Sequence, residues 1–108
     1  MRRWEVYWAD APFEDDPAQS KLRPVVILND KIVYVLASKI TSHEARENAA
    51  YDYVLIYWEE AGLSKPSVVR IDKLLQLKPE QIKDRIGQLS LVDIAAIQKL
   101  MNDFMKRR

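Results

Sequence analysis

Arg23 opens an aliphatic run in the stretch Lys21-Leu22-Arg23-Pro24-Val25-Val26-Ile27-Leu28. A guanidinium is permanently charged and presents five donors in a planar fork. At the mouth of a buried strand it needs a carboxylate, a phosphate or rim water as partner. Two uses fit: holding an anionic ligand, or a structural ion pair with Asp10 or Asp72. A second guanidinium, Arg70, stands two residues before Asp72 in Ser67-Val68-Val69-Arg70-Ile71-Asp72, and strand alternation places both on one face. Together they offer a charge stabiliser and a base, or else a solvated cross-strand ion pair. Arg70 is a poor proton donor, because arginine keeps its proton to a pH above about 12. Thr41 shares a strand face with Lys39, so an anion held by one lies within reach of the other. Threonine is also simply a common strand residue. Ser42 and the sole histidine, His43, follow directly. An imidazole suits acid–base work near neutrality, with an ordinary surface position as the alternative. Lys21 adds one more cation to the stretch that carries Arg23. The common theme is binding and stabilising negative charge.

These residues must be positioned by short β-elements. Val25 to Leu28 is a continuous, largely β-branched run that reads as a strand buried on both faces. Before it, residues 4–8 alternate, with Trp4, Val6 and Trp8 on one side, and read as a half-buried first strand. Residues 9–20, with Pro12, Pro17 and the acids Glu14, Asp15 and Asp16, read as a loop long enough to be a binding loop. Asn29-Asp30-Lys31 is a turn signal. Residues 32–41, 51–58 and 67–72 complete five strands, and 86–89 form a short edge strand after a helical turn. Ser90 is an N-cap with Asp93 three residues on, and apolar residues at helical spacing predict a helix over residues 91–105. The three tryptophans are expected in the core, with base stacking as the lesser option. Five strands and one amphipathic terminal helix make a mainly β (α+β), small SH3-like antiparallel barrel, closed or half-open.

Composition narrows the chemistry further. The 108 residues suit one domain over 1–108. Without cysteine there is no thiol nucleophile, thiolate site or disulfide, and one histidine cannot build a multi-histidine metal centre. A formal charge of +1 means that any anion-binding surface arises from clustering rather than excess. No apolar run approaches the ~20 residues of a membrane span, and the N-terminus lacks the apolar core of a signal peptide. The expected compartment is the cytoplasm.

Four pieces in this order carry a resemblance. They are Trp4-Glu5-Val6-Tyr7-Trp8-Ala9-Asp10, then Leu22-Arg23-Pro24-Val25-Val26-Ile27, then Ile40-Thr41-Ser42. Last come Gly62-Leu63 and Ser67 to Asp72, with Ile86-Gly87-Gln88-Leu89-Ser90 behind them. Together they resemble the MazF/PemK family of toxin–antitoxin ribonucleases over almost the whole chain. The resemblance implies a homodimeric barrel that cuts single-stranded RNA, often mRNA, at short sequences, with no metal or other cofactor, and a cognate antitoxin that occludes the site. It assigns catalysis to Arg23, Thr41, Arg70 and Asp72, and beside these carried-over residues Lys21, Lys39, Ser42 and His43 are expected as substrate contacts. The chain departs from the family in lacking a Gly-Asp opening to the first strand. Its loop before Arg23 is also acidic and lacks the histidine of the PemK branch. The competing expectation is a non-catalytic SH3-like barrel that binds a protein, either an inactive relative or a gyrase-poisoning toxin.

Overall fold

The computed structural model describes residues 1–13, 15–30, 35–41 and 50–107, with residues 35–39 described by their backbone. The chain runs β1 (Glu5–Pro12), β2 (Ser20–Asp30), β3 (Val35–Thr41), β4 (Asp52–Val54), β5 (Val68–Leu77), a 3-10 turn (Pro79–Gln81), β6 (Ile82–Gln88) and α1 (Leu91–Lys106). All strands pair antiparallel in one sheet of order β4-β5-β3-β2-β1-β6. The aliphatic run lies near the middle of this sheet: Val25, Val26 and Ile27 are fully buried. Their alternation feeds two cores. Val26 joins Val6, Ile40, Val69, Ile71 and Ile97 beneath α1, while Val25 and Ile27 join Ala9 and Leu77 on the other face. Each such side chain contributes roughly 1.5–3 kcal/mol on burial, which fixes the register around Arg23. The terminal helix begins as expected: Ser90 accepts from the Asp93 N–H at 3.2 Å. Met101 and Phe104 pack on the first core, whereas Met105 is half exposed. Among the described residues no helix is long and apolar enough to cross a membrane.

Several boundaries differ from the sequence reading. β1 and β2 stay paired out to Pro12 and Ser20, so the expected loop over 9–20 shrinks to 13–19. Backbone pairing does not require apolar alternation, and the polar ends of a hairpin hide from that signal. β5 runs on to Leu77 because Leu74 and Leu75 continue pairing with β3, and β6 begins at Ile82 along β1. The expected fourth strand is only three residues long, because the chain turns away at Leu55 toward the helix. Trp8 does not share the burial of Val6. An irregular register between β1 and β6 at Val6/Tyr7 and Tyr7/Ala9 breaks the alternation, and Trp8 is left 39% exposed.

The sheet curls but β4 and β6 do not hydrogen-bond to each other. The gap is closed by the segment after β4, and the chain's two glycines meet there. A Cβ on Gly62 would lie 2.5 Å from the Ile86 carbonyl oxygen, and one on Gly87 would overlap the Ala61 carbonyl, with the carbonyl carbon 2.8 Å away. Gly62 also has a φ of 89°, which side chains with a Cβ adopt at a cost. Gly87→Ala is expected to destabilise the fold by about 2 kcal/mol or more, since backbone must move to admit the methyl. A denaturant midpoint at the wild-type value would show that this contact does not close the barrel.

Candidate nucleic-acid-binding cleft

At one end of the sheet, strands β1, β2, β3 and β6 and the segment between β4 and β5 line a cleft of about 420 Å³. Three cations line it, Lys21, Arg23 and Lys65, with three hydroxyls, Thr41, Ser64 and Ser67, and the ring of Trp8. No carboxylate is present among the described lining residues. For a chain of near-neutral charge this is the clustering that anion binding requires.

Each wall is set by pairing already described. Arg23 lies opposite Ala9 across the β1–β2 ladder, held by the buried aliphatics that follow it. Its guanidinium carbon sits 5.9 Å from the centre of the Phe13 ring, at the outer limit of a cation–π contact. Among the described residues Arg23 has no ion pair, and Asp10, one of its two anticipated structural partners, instead faces Lys83 at 3.6 Å. The last residue of β3, Thr41, pairs with Val68 and is 7% exposed. Lys21 follows Ser20 on the β2 arm that pairs with β1.

Arg70 and Asp72 are not in the lining. Arg70 pairs with Lys39 in the β3–β5 ladder and with Asp52 across β4–β5. Its guanidinium lies 3.4 Å from the Asp52 carboxylate, whose side chain is fully buried. Asp72 lies one strand period further along β5 and is exposed. The structure therefore brings Arg23, Thr41 and Lys21 together at the cleft, and places Arg70 two residue pairs along the β3–β5 ladder from Thr41. Of Lys39 only the backbone is described, and Ser42 and His43 lie outside the described residues. Asp52 went unmarked in sequence because its partner is a cross-strand one, and no local spacing announces it.

The wall opposite β2 depends on a residue that the sequence marks only as a helix cap. Asp93 is completely buried. Its carboxylate accepts from Tyr53 Oη at 2.6 Å, the Ile56 N–H at 3.1 Å, the Tyr57 N–H at 3.0 Å and Ser90 Oγ at 3.2 Å. The start of α1 favours this anion. The latch sets the exit path from β4, and with it the placement of Gly62, Leu63, Ser64 and Lys65 at the cleft. Burial and the bond to Asp93 push the Tyr53 phenol far above the usual tyrosine range. The unfolded chain gives up this proton near pH 10, while the folded protein keeps it. The contribution to stability is thus complete below pH ~10 and is lost as pH rises toward the folded value. Tyr53→Phe is expected to flatten the fall of melting temperature above pH ~10, and an unchanged slope would show the phenol to be unperturbed.

Comparison with known proteins places this geometry. A family model described as "PemK-like, MazF-like toxin of type II toxin-antitoxin system" matches residues 2–105. The proteins named endoribonuclease MazF2 of Mycobacterium bovis and endoribonuclease MazF6 of Mycobacterium tuberculosis are each 27% identical over 95 residues, spanning 82% of this chain and 82% of theirs. A mycobacterial endoribonuclease solved in complex with its cognate antitoxin superposes with a TM-score of 0.74 at 15% identity, over 98% of this chain and 95% of that one. The Mycobacterium tuberculosis toxin MazF-mt6 gives 0.67 at 22%, over 93% and 96%. At these identities the superpositions establish the shared fold.

Proposed function

The chain belongs to the PemK-like, MazF-like family of type II toxin–antitoxin toxins, and from that premise we propose that it is an endoribonuclease toxin whose cleft binds and cuts single-stranded RNA. The observation that carries this reading is the cleft itself. It offers cations and hydroxyls for phosphate oxygens, an exposed indole for a base, and no described carboxylate to repel the strand. Phosphate contacts supply most of the affinity in such sites, and aromatic faces take bases without strict sequence demand.

In the proposed reaction the 2′-oxygen of one nucleotide attacks the adjacent phosphorus and the 5′-oxygen of the next nucleotide leaves. A 2′,3′-cyclic phosphate and a 5′-hydroxyl result, and a proton passes in net from the 2′-oxygen to the 5′-oxygen. Negative charge accumulates on the non-bridging oxygens. Arg23 meets it with a planar fork of donors matched to phosphate. Thr41 supplies a hydroxyl at the end of the adjoining strand, and Lys21 reaches the flanking backbone. Arg70, paired with Asp52, adds a donor two residue pairs along the β3–β5 ladder from Thr41. With no described carboxylate in the lining, the acceleration assigned to the cleft is electrostatic, through stabilisation of the developing charge.

By the same reading the active species is a cytoplasmic homodimer, and the partner that silences it is an antitoxin. A protein complex of that kind is seen in the superposed mycobacterial relative. Incubation of the purified protein with a defined transcript in chelator tests the reading. Fragments ending in 2′,3′-cyclic phosphate are expected, and RNA left intact at every protein concentration would refute nuclease activity and favour a barrel that acts by binding protein.

A further inference from the structure

The segment between β4 and β5 enters the cleft fixed at three points. The N–H groups of Ile56 and Tyr57 hang from the buried Asp93 carboxylate, and Gly62 is packed on the Ile86 carbonyl. At the far end the buried Ser67 donates through Oγ to the Lys65 carbonyl at 2.8 Å. Lys65 is thereby presented at the cleft by a backbone held on both sides of it. The residue is exposed and makes no ion pair among the described residues, and the cleft it lines contains no described acid. A lysine with no ion pair among the described residues, held by an anchored loop and lining the same cleft as the hydroxyls of Ser64 and Thr41, is arranged to receive an anionic oxygen.

The dimensions say which one. A cleft of about 420 Å³ is at the lower end of the range for small-ligand pockets, enough for about one nucleotide. A nucleotide within a strand has a phosphate on each side, so a cleft that holds one needs cationic donors from two walls. β2 supplies Arg23 on one wall, and on the other the anchored segment supplies only Lys65. We propose that Lys65 is a substrate-binding residue that grips the phosphate neighbouring the one held at Arg23, so that the RNA strand is stretched between β2 and the loop that Asp93 anchors. This assignment rests on the endoribonuclease reading above. An acidic peptide could also meet these cations, but the exposed indole of Trp8 in the same lining favours a ligand with flat rings between its charges.

The test uses the full chain and a labelled, uncleavable 2′-O-methyl decamer of mixed sequence, titrated across a range of salt. Lys65→Ala is expected to bind about tenfold more weakly. The slope of log affinity against log salt should fall by about 0.7, as loss of one phosphate contact to a single strand requires. Lys65→Arg should restore both. On cleavable RNA, KM should rise while kcat stays within about twofold, the signature of an interaction made equally in ground and transition states. Lys99→Ala, an exposed helix lysine outside the cleft, is the control. If Lys65→Ala matches that control in affinity, slope and KM, the assignment is overturned, and likewise if only binding of poly-glutamate is weakened. Should wild type cleave RNA while Lys65→Ala behaves as the control, Lys65 alone is misassigned. If wild type neither binds nor cleaves RNA, the endoribonuclease reading falls and this inference with it.

Discussion

Arg23→Ala is expected to slow RNA cleavage by about a hundred- to a thousandfold while moving the melting temperature by no more than a few degrees. The two halves of this expectation come from different contacts. In the proposed reaction Arg23 is the residue whose planar fork is assigned to the phosphorane oxygens, and loss of one donor of that kind carries a penalty of this size. For the fold, Arg23 makes no ion pair among the described residues, and its one ring contact, with Phe13 at 5.9 Å, is worth about 0.5–1 kcal/mol. A structural arginine would behave in the opposite way, with stability falling as far as activity. Arg23→Lys separates charge from geometry. It should recover most of the RNA affinity but little of the rate, because an ammonium cannot reproduce the two-pronged contact. Measured single-turnover rates beside thermal melts decide between these outcomes.

The largest effect on stability is expected far from the reacting phosphate. Asp93→Ala removes an acceptor shared by Tyr53 Oη, the Ile56 and Tyr57 N–H groups and Ser90 Oγ. Of these, the phenol and the two amides are part-buried and would lose their shared acceptor. Loss of a buried donor's partner costs about 1–3 kcal/mol, relieved here by rearrangement and partial hydration, so a total of about 3–5 kcal/mol is expected. That is a large share of the 5–15 kcal/mol typical of a domain, and it corresponds to a drop of about 15 °C or more in melting temperature. Calorimetry on the variant checks it. A shift of only a few degrees would mean that water or neighbouring groups satisfy the donors, and that the cleft wall does not hang from this carboxylate.

What could be read from sequence was whatever depends on periodicity. The aliphatic run of β2, the amphipathic face of α1 and the Ser90 cap are local patterns, and each lies where the alternation put it. The pairing of Arg23 and Thr41 at one cleft was legible through the ordered set of motifs, since they lie on the consecutive strands β2 and β3, which pair side by side. The contributions that went unread are tertiary. Lys65 and Ser64 sit in a segment that carries only punctuation, and nothing local says which end of the sheet such a segment will cover. Asp93 looked like a capping residue, and its wider role appears only once Tyr53, Ile56 and Tyr57 arrive from another part of the chain. Asp52 was hidden in the same way, as the cross-strand partner of Arg70. Trp8 was misjudged because an irregular register between β1 and β6 turned an alternating residue outward.

The central claim is that RNA lies in the cleft with a phosphate on Arg23 and the chain end of β3 beside it. Titration of labelled protein with an uncleavable RNA, followed by NMR at the Arg23 guanidinium Nε–H and the Thr41 amide, addresses it most directly. Both signals are expected to shift together and saturate at one affinity, while the Arg107 Nε–H, tied to Asp103 on the helix, stays still. Saturable RNA binding that leaves Arg23 and Thr41 unmoved would contradict the account.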